Sequence, residues 1–262
     1  MNPLVLLDIT GPVATVTLNR PQRHNSLVPR LLEELLRALE GIRAERQVRA
    51  VVLQANGRSF STGGDVQGFY EHLQSLEAYA RTLVGLLNRA ILRLLDLPVP
   101  IVAAVHGIVS GGSLGLVLGC DVVLVAPEAS FTPYYGVVGF SPDGGWTALL
   151  PAIIGPKRAA DVLMRNRTIT ADQALAWGLA SRMVPGDGIR EEAQRTAEEI
   201  AAMKPGSLRD MRRLLYLTPG DVDDRLEAER SRFVHQITTD DARQGILAFL
   251  GKGESADVQP GS

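Results

Sequence analysis

The sequence predicts an α/β fold that is followed by an all-helical region. Short apolar, β-prone runs alternate with amphipathic helical stretches through the first two thirds of the chain. Two of these runs lead into a glycine-rich turn and then into a helix start, at residues 57–65 and 101–113. Beyond residue 188 only the helical period remains. Alternating strands and helices are typical of an α/β core, to which the helical end would be added.

The first elements follow from short-range signals. Thr10-Gly11-Pro12 separates two β-prone runs and predicts a hairpin, and leucines at positions 31, 32, 35, 36 and 39 give the next stretch one apolar face. A third strand leads into the first glycine turn, where Asp65 is a predicted helix cap. The predicted strands are at 4–9, 13–18, 48–55, 101–105, 121–126, 129–131 and 179–184.

The later elements depend on helical periodicity and on caps. Residues 133–140 read as an irregular loop, after which Ser141 is the predicted N-cap and Pro142 the first residue of a helix. Residues 254–262 read as a flexible tail. The predicted helices are at about 28–44, 75–95, 113–119, 157–164, 171–177, 189–203, 207–216, 221–235 and 240–250.

Composition excludes several classes of protein. The chain has 262 residues, 45% of them hydrophobic, and a net charge of -2, which gives no support for nucleic-acid binding. Its one cysteine, Cys120, rules out an internal disulfide framework and fits a cytoplasmic location. The start lacks a signal-peptide pattern, and Asp121 interrupts the longest apolar run, so no membrane span is expected. The four histidines are far apart, so no metal site is expected.

The glycine turns are candidate anion sites. The first N–H groups of a helix have no partner within the helix, and glycine allows a ligand to approach them. The same glycines would also permit close packing of a helix on a sheet, and the residues alone leave both readings open. Residues 111–115 also match G-x-S-x-G, with Ser113 as a nucleophile and His235 as a later base. Ser113 lies several residues beyond the strand, which argues against that hydrolase interpretation.

Six motifs in order resemble the crotonase family, also called the enoyl-CoA hydratase/isomerase superfamily. They lie at residues 19–27, 57–65, 104–112, 120–121, 142–145 and 248–252. The resemblance implies a crotonase-like spiral of ββα repeats at 1–190, a C-terminal α-helical trimerisation region at 191–253 and a tail at 254–262. It also implies a homotrimer or a dimer of trimers as the assembly.

The resemblance implies an acyl-CoA thioester as the substrate, with coenzyme A as part of it and no separate cofactor. By motif position, the backbone N–H groups of Gly64 and Gly112 form an oxyanion hole for the thioester carbonyl. Such a preorganised donor is worth roughly 3 to 4 kcal/mol of barrier. The positions that would contact coenzyme A are Arg23, Arg58, Ser61, Thr62, Gly63, Phe233 and Lys252. For the charged ones a solvated surface role competes, and for Phe233 a place in the core.

The reaction depends on the side chains at the acyl carbons. The two glutamates of the family's hydratases fall on Gly115 and Tyr135, so both carboxylates are absent, whereas Asp143 occupies the position of an acid/base or nucleophilic aspartate in other branches. One carboxylate suffices to shift a double bond, and we therefore expect an isomerase. The predicted acyl pocket, in part an apolar wall around Asp143, consists of Tyr70, Tyr135, Phe140 and Trp146.

Three further polar residues receive structural roles, and one alternative function stays open. Asp65, Asp121 and His106 are expected to stabilise turns and helix ends. Loss of both hydratase glutamates would also fit a protein that binds acyl-CoA without turning it over. Retention of Asp143 together with both glycine turns argues for catalysis.

Overall fold

The computed structural model describes residues 2–215 and 219–252, so the predicted tail at 254–262 lies outside the described residues. The strands are β1 (Val5–Thr10), β2 (Val13–Leu18), β3 (Ala50–Ala55), β4 (Ile101–Val105), β5 (Ile108–Ser110), β6 (Val122–Val125), β7 (Ser130–Thr132), β8 (Ile169–Thr170) and β9 (Arg182–Met183).

Helices connect these strands and fill the C-terminal part of the chain. They are α1 (Pro29–Ala44), α2 (Val66–Glu71), α3 (Leu76–Asp96), α4 (Leu114–Leu118), α5 (Tyr135–Val138), α6 (Leu150–Ile154), α7 (Pro156–Met164), α8 (Ala171–Ala176), α9 (Ile189–Ala201), α10 (Pro205–Leu215), α11 (Pro219–Ile237) and α12 (Asp240–Phe249).

The larger sheet has the strand order β1-β2-β3-β4-β6-β9. The predicted hairpin pairs β1 with β2 in antiparallel fashion, and every later pair in this sheet is parallel. In β3 and β4, Val51 faces Ile101 and Leu53 faces Ala103. Because β3 and β4 are parallel neighbours, the two glycine turns leave the sheet at the same edge.

A smaller sheet extends that edge. Strand β5 pairs with β7 in parallel and β7 pairs with β8 in antiparallel fashion. Sequence periodicity did not predict β5 or β8, because strands of two or three residues are too short to show a period. An isolated bridge between Ser61 and Val109 joins β5 to the first glycine turn. The small sheet thus brings the two turns together.

Both faces of the larger sheet are covered. Helices α1 and α3 pack on one face, where four of the five predicted leucines of α1 are buried and Leu36 is partly buried. Helix α9 covers the other face with Ile189, Ala193 and Ala197, which meet alternate residues of the strands. Small residues on α9 allow the helix to lie close to the strands. The predicted domain division at residue 190 coincides with the start of α9 and stays a prediction.

The last two helices lie beside the edge where the glycine turns meet. Helix α11 packs along α3, and α12 contacts α2 and α5. Leu226 and Ile237 of α11 are fully buried between these elements. The C-terminal helices therefore form part of the wall around the turns.

The predicted helix start at Ser141 and Pro142 is wrong. Residues 141–143 are not helical, and the next helix, α6, begins at Leu150. Gly144 and Gly145 have φ values of 61° and 85°, which place both in the left-handed region and form a turn instead. Residues 133–140, predicted to be irregular, contain the short helix α5.

Among the described residues, none of the helices combines the length and the apolar character that a membrane crossing requires.

Candidate active site

The two glycine turns lie directly against each other. The Ser61 N–H donates to the Ile108 carbonyl over 3.1 Å, and the Ser110 N–H donates to the Ser61 carbonyl over 3.1 Å. Gly63 has φ 76°, and a Cβ at this position would lie 2.5 Å from the Ser110 carbonyl oxygen. A larger residue at 63 would therefore push the turns apart.

The backbone N–H groups of Gly64 and Gly112 point away from the hydrogen bonds that join neighbouring segments of backbone at the two turns. Around Gly64, the Leu27 N–H donates to the Gly63 carbonyl and the Asp65 N–H donates to the Leu27 carbonyl, which leaves the Gly64 N–H on the opposite side. Gly112 is the second residue of a 3₁₀ turn, where N–H groups lack a partner within the helix. Both glycines line one cavity. The pair can stabilise negative charge on a ligand oxygen.

This cavity has a volume of about 470 Å³ and its walls are largely apolar. It lies between the two glycine turns, helix α3, the 133–143 segment and the C-terminal helices. Such a volume accommodates a small organic group. The apolar side chains of the walls include Phe69, Leu83, Leu87, Val138, Phe140 and Phe233.

Asp143 is a buried carboxyl group in the wall of this cavity, which Asp65 also lines. Only 6% of Asp143 is exposed, and it lines the cavity together with Gly112. A Cβ built on Gly112 would lie 2.8 Å from Asp143 Oδ1 and 3.0 Å from Oδ2, so the carboxyl group contacts the Gly112 backbone. The structure thus brings together two of the three residues predicted to be catalytic, and the third, Gly64, lies on the same cavity.

The Tyr135 hydroxyl donates to Asp143. It lies 2.6 Å from Asp143 Oδ1 and 3.0 Å from the Asp143 carbonyl oxygen. The Tyr135 side chain is buried, which raises its pKa well above 10.0, mainly through desolvation and then through the nearby Asp143 charge. Tyr135 therefore stays neutral and serves as a fixed donor that leaves Asp143 Oδ2 without this bond.

Burial raises the pKa of Asp143 from 3.8 to about 7. Desolvation is the largest cause, because an ionised carboxylate loses its hydration in an apolar wall. The Tyr135 hydrogen bond lowers the pKa, and the negative charge of Glu229 raises it. A carboxyl group with this pKa can both accept and return a proton near neutral pH.

The sequence did not predict that Glu229 of α11 contacts the candidate site. It accepts from the Gly145, Thr147 and Ala148 N–H groups that follow Asp143. Glu229 shares a face of α11 with the apolar residues Leu226 and Phe233. A charged residue on an apolar helix face was the sequence signal that could have indicated its role. Within a charged, amphipathic stretch this signal is weak.

The predicted contacts of coenzyme A fall into two groups. Arg23 and Thr62 line the cavity at its exposed side, and the Arg23 guanidinium also pairs with Asp65 over 3.0 Å. Ser61 and Gly63 are buried behind it, and the Ser61 hydroxyl donates to the Asn25 carbonyl. These two hold the turn in place rather than presenting a side chain to a ligand.

Arg58 lies outside the cavity lining, whereas two of the predicted aromatic residues are part of it. Arg58 is exposed and lies 3.4 Å from the His24 ring, outside the cavity wall. Phe140 and Phe233 do line the cavity, with ring centroids 5.4 Å apart. Phe233 is thus a buried wall residue of the cavity, and its predicted contact with coenzyme A stays a prediction.

Two predicted wall residues lie outside the cavity surface. Trp146 is fully buried behind Tyr135, and its indole N–H donates to the Gly111 carbonyl over 2.8 Å. Tyr70 packs under Lys252, whose ammonium lies 3.7 Å from the ring centroid. Neither ring is part of the cavity lining.

The residues assigned to structure have structural contacts. Asp65 stands before α2 without a capping bond from its side chain, which instead accepts from Arg20 and Arg23. The predicted cap at Asp65 is therefore wrong in its bonding. Asp121 pairs with the buried Arg212 over 2.8 Å. The His106 ring contacts the Gly57 carbonyl.

The serine-nucleophile interpretation is excluded. Ser113 is fully buried, and its hydroxyl donates to the carbonyls of Ser61 and Ser110 over 2.9 and 2.7 Å. A nucleophile must be reachable and paired with a base, whereas Ser113 bonds to backbone.

Gly115 has no room for a carboxylate side chain. A Cβ there would lie 2.3 Å from Ile91 Cδ1 and 2.6 Å from the Gly144 carbonyl oxygen. In the part of the chain that the structure describes, no cluster of three metal-ligating side chains occurs. Asp143 and Tyr135 line the cavity together with Gly64 and Gly112.

Comparison with known proteins gives one consistent family. A family model described as enoyl-CoA hydratase/isomerase matches residues 8–256. A putative enoyl-CoA hydratase of Thermus thermophilus is 38% identical over 248 residues, which are 92% of this chain and 96% of the relative. The 1,2-epoxyphenylacetyl-CoA isomerase of Escherichia coli is 28% identical, over 96% of this chain and 97% of the relative.

Solved structures agree with the fold. An enoyl-CoA hydratase/isomerase from Mycobacterium paratuberculosis superposes with a TM-score of 0.87 at 25% identity, over 95% of this chain and 99% of that protein. This likeness confirms the fold class that the motifs predicted.

Proposed function

The chain belongs to the enoyl-CoA hydratase/isomerase family, and we propose that within it the protein is a double-bond isomerase of acyl-CoA thioesters. Asp143 is the acid/base group of this proposal. The observation that carries it is the buried Asp143 carboxyl group in contact with the Gly112 backbone, inside the cavity that Gly64 also lines.

The proposed reaction moves one proton. Asp143 takes a proton from C2 of a 3-enoyl thioester, and the electron pair of that C–H bond forms a double bond between C1 and C2 while the carbonyl π pair moves onto the thioester oxygen. The resulting dienolate keeps the 3,4 double bond, and the Gly64 and Gly112 N–H groups stabilise the negative charge on its oxygen. Asp143 then returns the proton to C4: the 3,4 pair forms the new C–H bond, the C1–C2 pair moves to C2–C3, and the carbonyl group and the Asp143 carboxylate are restored. The reaction is redox-neutral and requires no cofactor besides the coenzyme A of the substrate.

The raised pKa of Asp143 supports this role. A base must be ionised to take the proton and must then hold it long enough to deliver it, and a pKa of about 7 allows both near neutral pH. The Tyr135 hydroxyl occupies Oδ1, which directs the other oxygen to the proton transfer.

A conventional hydratase is disfavoured by the same cavity. Gly115 and Tyr135 stand where the two glutamates are expected, and the space around Gly115 is filled by Ile91 and the Gly144 carbonyl. Activating water on one side and delivering a proton on the other requires two groups. Because the names of relatives include both hydratase and isomerase, these residues are the stronger guide.

The exposed side of the cavity is proposed as the entry for coenzyme A. Arg23 has a half-exposed guanidinium there, beside Thr62. A cation at that point can pair with a phosphate group of the ligand. The apolar walls formed by Phe69, Phe140 and Phe233 are then left for the acyl group.

The test is turnover of a 3-enoyl-CoA by the wild type and by Asp143→Asn. The amide keeps the shape of the side chain and removes the base, so we expect isomerisation to fall by about 10²- to 10⁴-fold. Binding of a saturated acyl-CoA, measured by calorimetry, should change little.

Wild-type turnover by Asp143→Asn would contradict the assignment. Tight acyl-CoA binding by the wild type without turnover in isomerisation or hydration assays would favour the binding-protein alternative. Hydration of a 2-enoyl-CoA is the matched comparison reaction, and we expect it to be slow.

A further inference from the structure

Glu229 is a buried carboxylate that the proposed reaction does not use. Its exposed fraction is 4%. Oε2 accepts from the Gly145 N–H over 2.8 Å, while Oε1 accepts from the Thr147 N–H, the Thr147 hydroxyl and the Ala148 N–H over 2.7, 2.6 and 2.8 Å. Three backbone N–H groups and one hydroxyl group of the 145–148 segment therefore hold this carboxyl group in place.

We propose that Glu229 is a positioning residue that fixes the 144–148 turn and thereby holds the Asp143 carboxyl group against the Gly112 backbone. The proposal deepens the proposed function and rests on it for its kinetic part.

The 144–148 turn connects Glu229 to Asp143 through a short stretch of backbone. Gly145, which donates to Glu229, is two residues from Asp143. Gly144 lies between them, and a Cβ there would lie 2.3 Å from the Gly112 carbonyl oxygen. Because the Gly144 backbone packs against Gly112, a shift of the turn would move the Asp143 carboxyl group relative to the predicted oxyanion hole. A displacement of about 1 Å at a catalytic group can reduce the rate by about 10²-fold.

The charge of Glu229 also acts on Asp143. The titratable groups facing Asp143 are Tyr135 from α5 and Glu229 from α11. Of the described residues, Gly112 and Leu87 also lie at this part of the cavity, and neither is ionisable. A nearby negative charge disfavours the ionised form of a carboxyl group, so Glu229 raises the Asp143 pKa whereas Tyr135 lowers it.

One face of α11 therefore has two contacts with the site. Glu229 and Phe233 are four residues apart and share a helix face. Phe233 lines the acyl side of the cavity, and Glu229 holds the turn that contains the base. Docking of α11 on α3 is thus coupled to the placement of Asp143.

The main test is Glu229→Gln. The amide oxygen can accept from part of the donor set, while its NH₂ group faces backbone N–H groups, and the charge is removed. We expect kcat to fall about tenfold with KM within about twofold. We also expect the Asp143 pKa to fall by about one unit, followed by NMR titration of ¹³C-labelled aspartate with Asp143→Asn to identify the signal.

Two matched variants separate charge from position. Glu229→Asp keeps the charge but shortens the side chain, so kcat should fall while the Asp143 pKa stays near that of the wild type. Glu227→Gln removes an exposed carboxylate of the same helix, which pairs with Arg230, and should change neither quantity. A folded Glu229→Gln variant with the wild-type kcat and the wild-type Asp143 titration would overturn the proposal.

The titration does not depend on which reaction the protein catalyses. A shifted Asp143 pKa without isomerase activity in the wild type would refute the proposed function and retain the link from Glu229 to Asp143. Should Glu229→Gln fail to fold, Thr147→Val removes one donor from the exposed side of the turn. It is expected to lower kcat, with Thr147→Ser restoring it, and no change in kcat or in the Asp143 titration would overturn the proposal.

Discussion

Asp143 and Tyr135 form the chemical pair of the candidate site. The sequence resemblance placed Tyr135 where a hydratase has a glutamate and included it in the predicted acyl pocket. The 2.6 Å bond to Asp143 Oδ1 gives it a definite contact. A neutral hydroxyl that donates to a carboxylate stabilises the ionised form, which offsets part of the desolvation.

The Tyr135→Phe variant should move the acid limb of the pH profile. With Asp143 in the proposed role of a base, kcat/KM of the wild type should rise with pH through about 7, the pKa of this carboxyl group. Loss of the tyrosine hydrogen bond removes an influence that lowers that pKa, so the limb should move upward by about one pH unit. The measurement is kcat/KM for a 3-enoyl-CoA between pH 5 and about 9.

The neighbouring Tyr134→Phe change is the control, because Tyr134 is exposed at the cavity mouth and lacks this contact. Glu229→Gln should move the same limb downward, opposite to Tyr135→Phe. An acid limb that stays in place, or moves downward, in Tyr135→Phe would refute the proposed effect of this hydrogen bond on Asp143.

Residues were predictable from sequence where a short motif fixed their place. The Gly-Gly pairs and Pro142-Asp143-Gly144 are local signals, and they identified Gly64, Gly112 and Asp143. Glu229 lies 84 residues from Gly145 and is linked to it only by tertiary structure. Trp146 and Tyr70 were predicted wall residues, but Trp146 donates to the Gly111 carbonyl, Tyr70 packs under Lys252, and neither lines the cavity.

Among the predicted elements, the strand-turn-helix units agree best with the structure. Strands β3 and β4 have continuous apolar runs, and parallel pairing then brings the turns that follow them to one edge. The helix predicted at Ser141-Pro142 shows the limit of such signals. A suitable cap and an N1 proline were present, yet two left-handed glycines and the contact with Gly112 impose a turn.

The C-terminal helices are joined to the α/β part by polar contacts as well as apolar ones. Arg212 of α10 pairs with Asp121 and donates to the Leu94 and Leu95 carbonyls at the end of α3 over 2.6 and 2.7 Å. Asp121 also accepts from the Ile101 N–H over 2.7 Å, at the start of β4. This buried ion pair gives Asp121 the structural role that its sequence context predicted, because each partner satisfies the other.

On the scale of the whole molecule, the assembly is a proposal that can be measured directly. Met211, Leu214 and Leu215 of α10 are 57, 66 and 76% exposed in the single chain. Apolar side chains grouped in this way favour an interface. We expect sedimentation velocity to give three or six times the 28.2 kDa mass of the chain.

A Leu214→Glu change should shift that distribution toward smaller species, because a carboxylate would be buried at the interface. Glu198→Gln, on the exposed side of α9, is the control. A wild-type protein that sediments as a monomer at micromolar concentration would contradict the trimer.

Isotope transfer can test directly whether one buried carboxyl group moves a proton from C2 to C4. A 3-enoyl-CoA with both C2 hydrogens replaced by deuterium is turned over in ordinary water, and the 2-enoyl product is examined by mass spectrometry and NMR. Because the Asp143 side chain is buried, we predict that a substantial part of the product carries deuterium at C4. Product in which the new C4 hydrogen comes wholly from water would contradict a single shuttling carboxyl group.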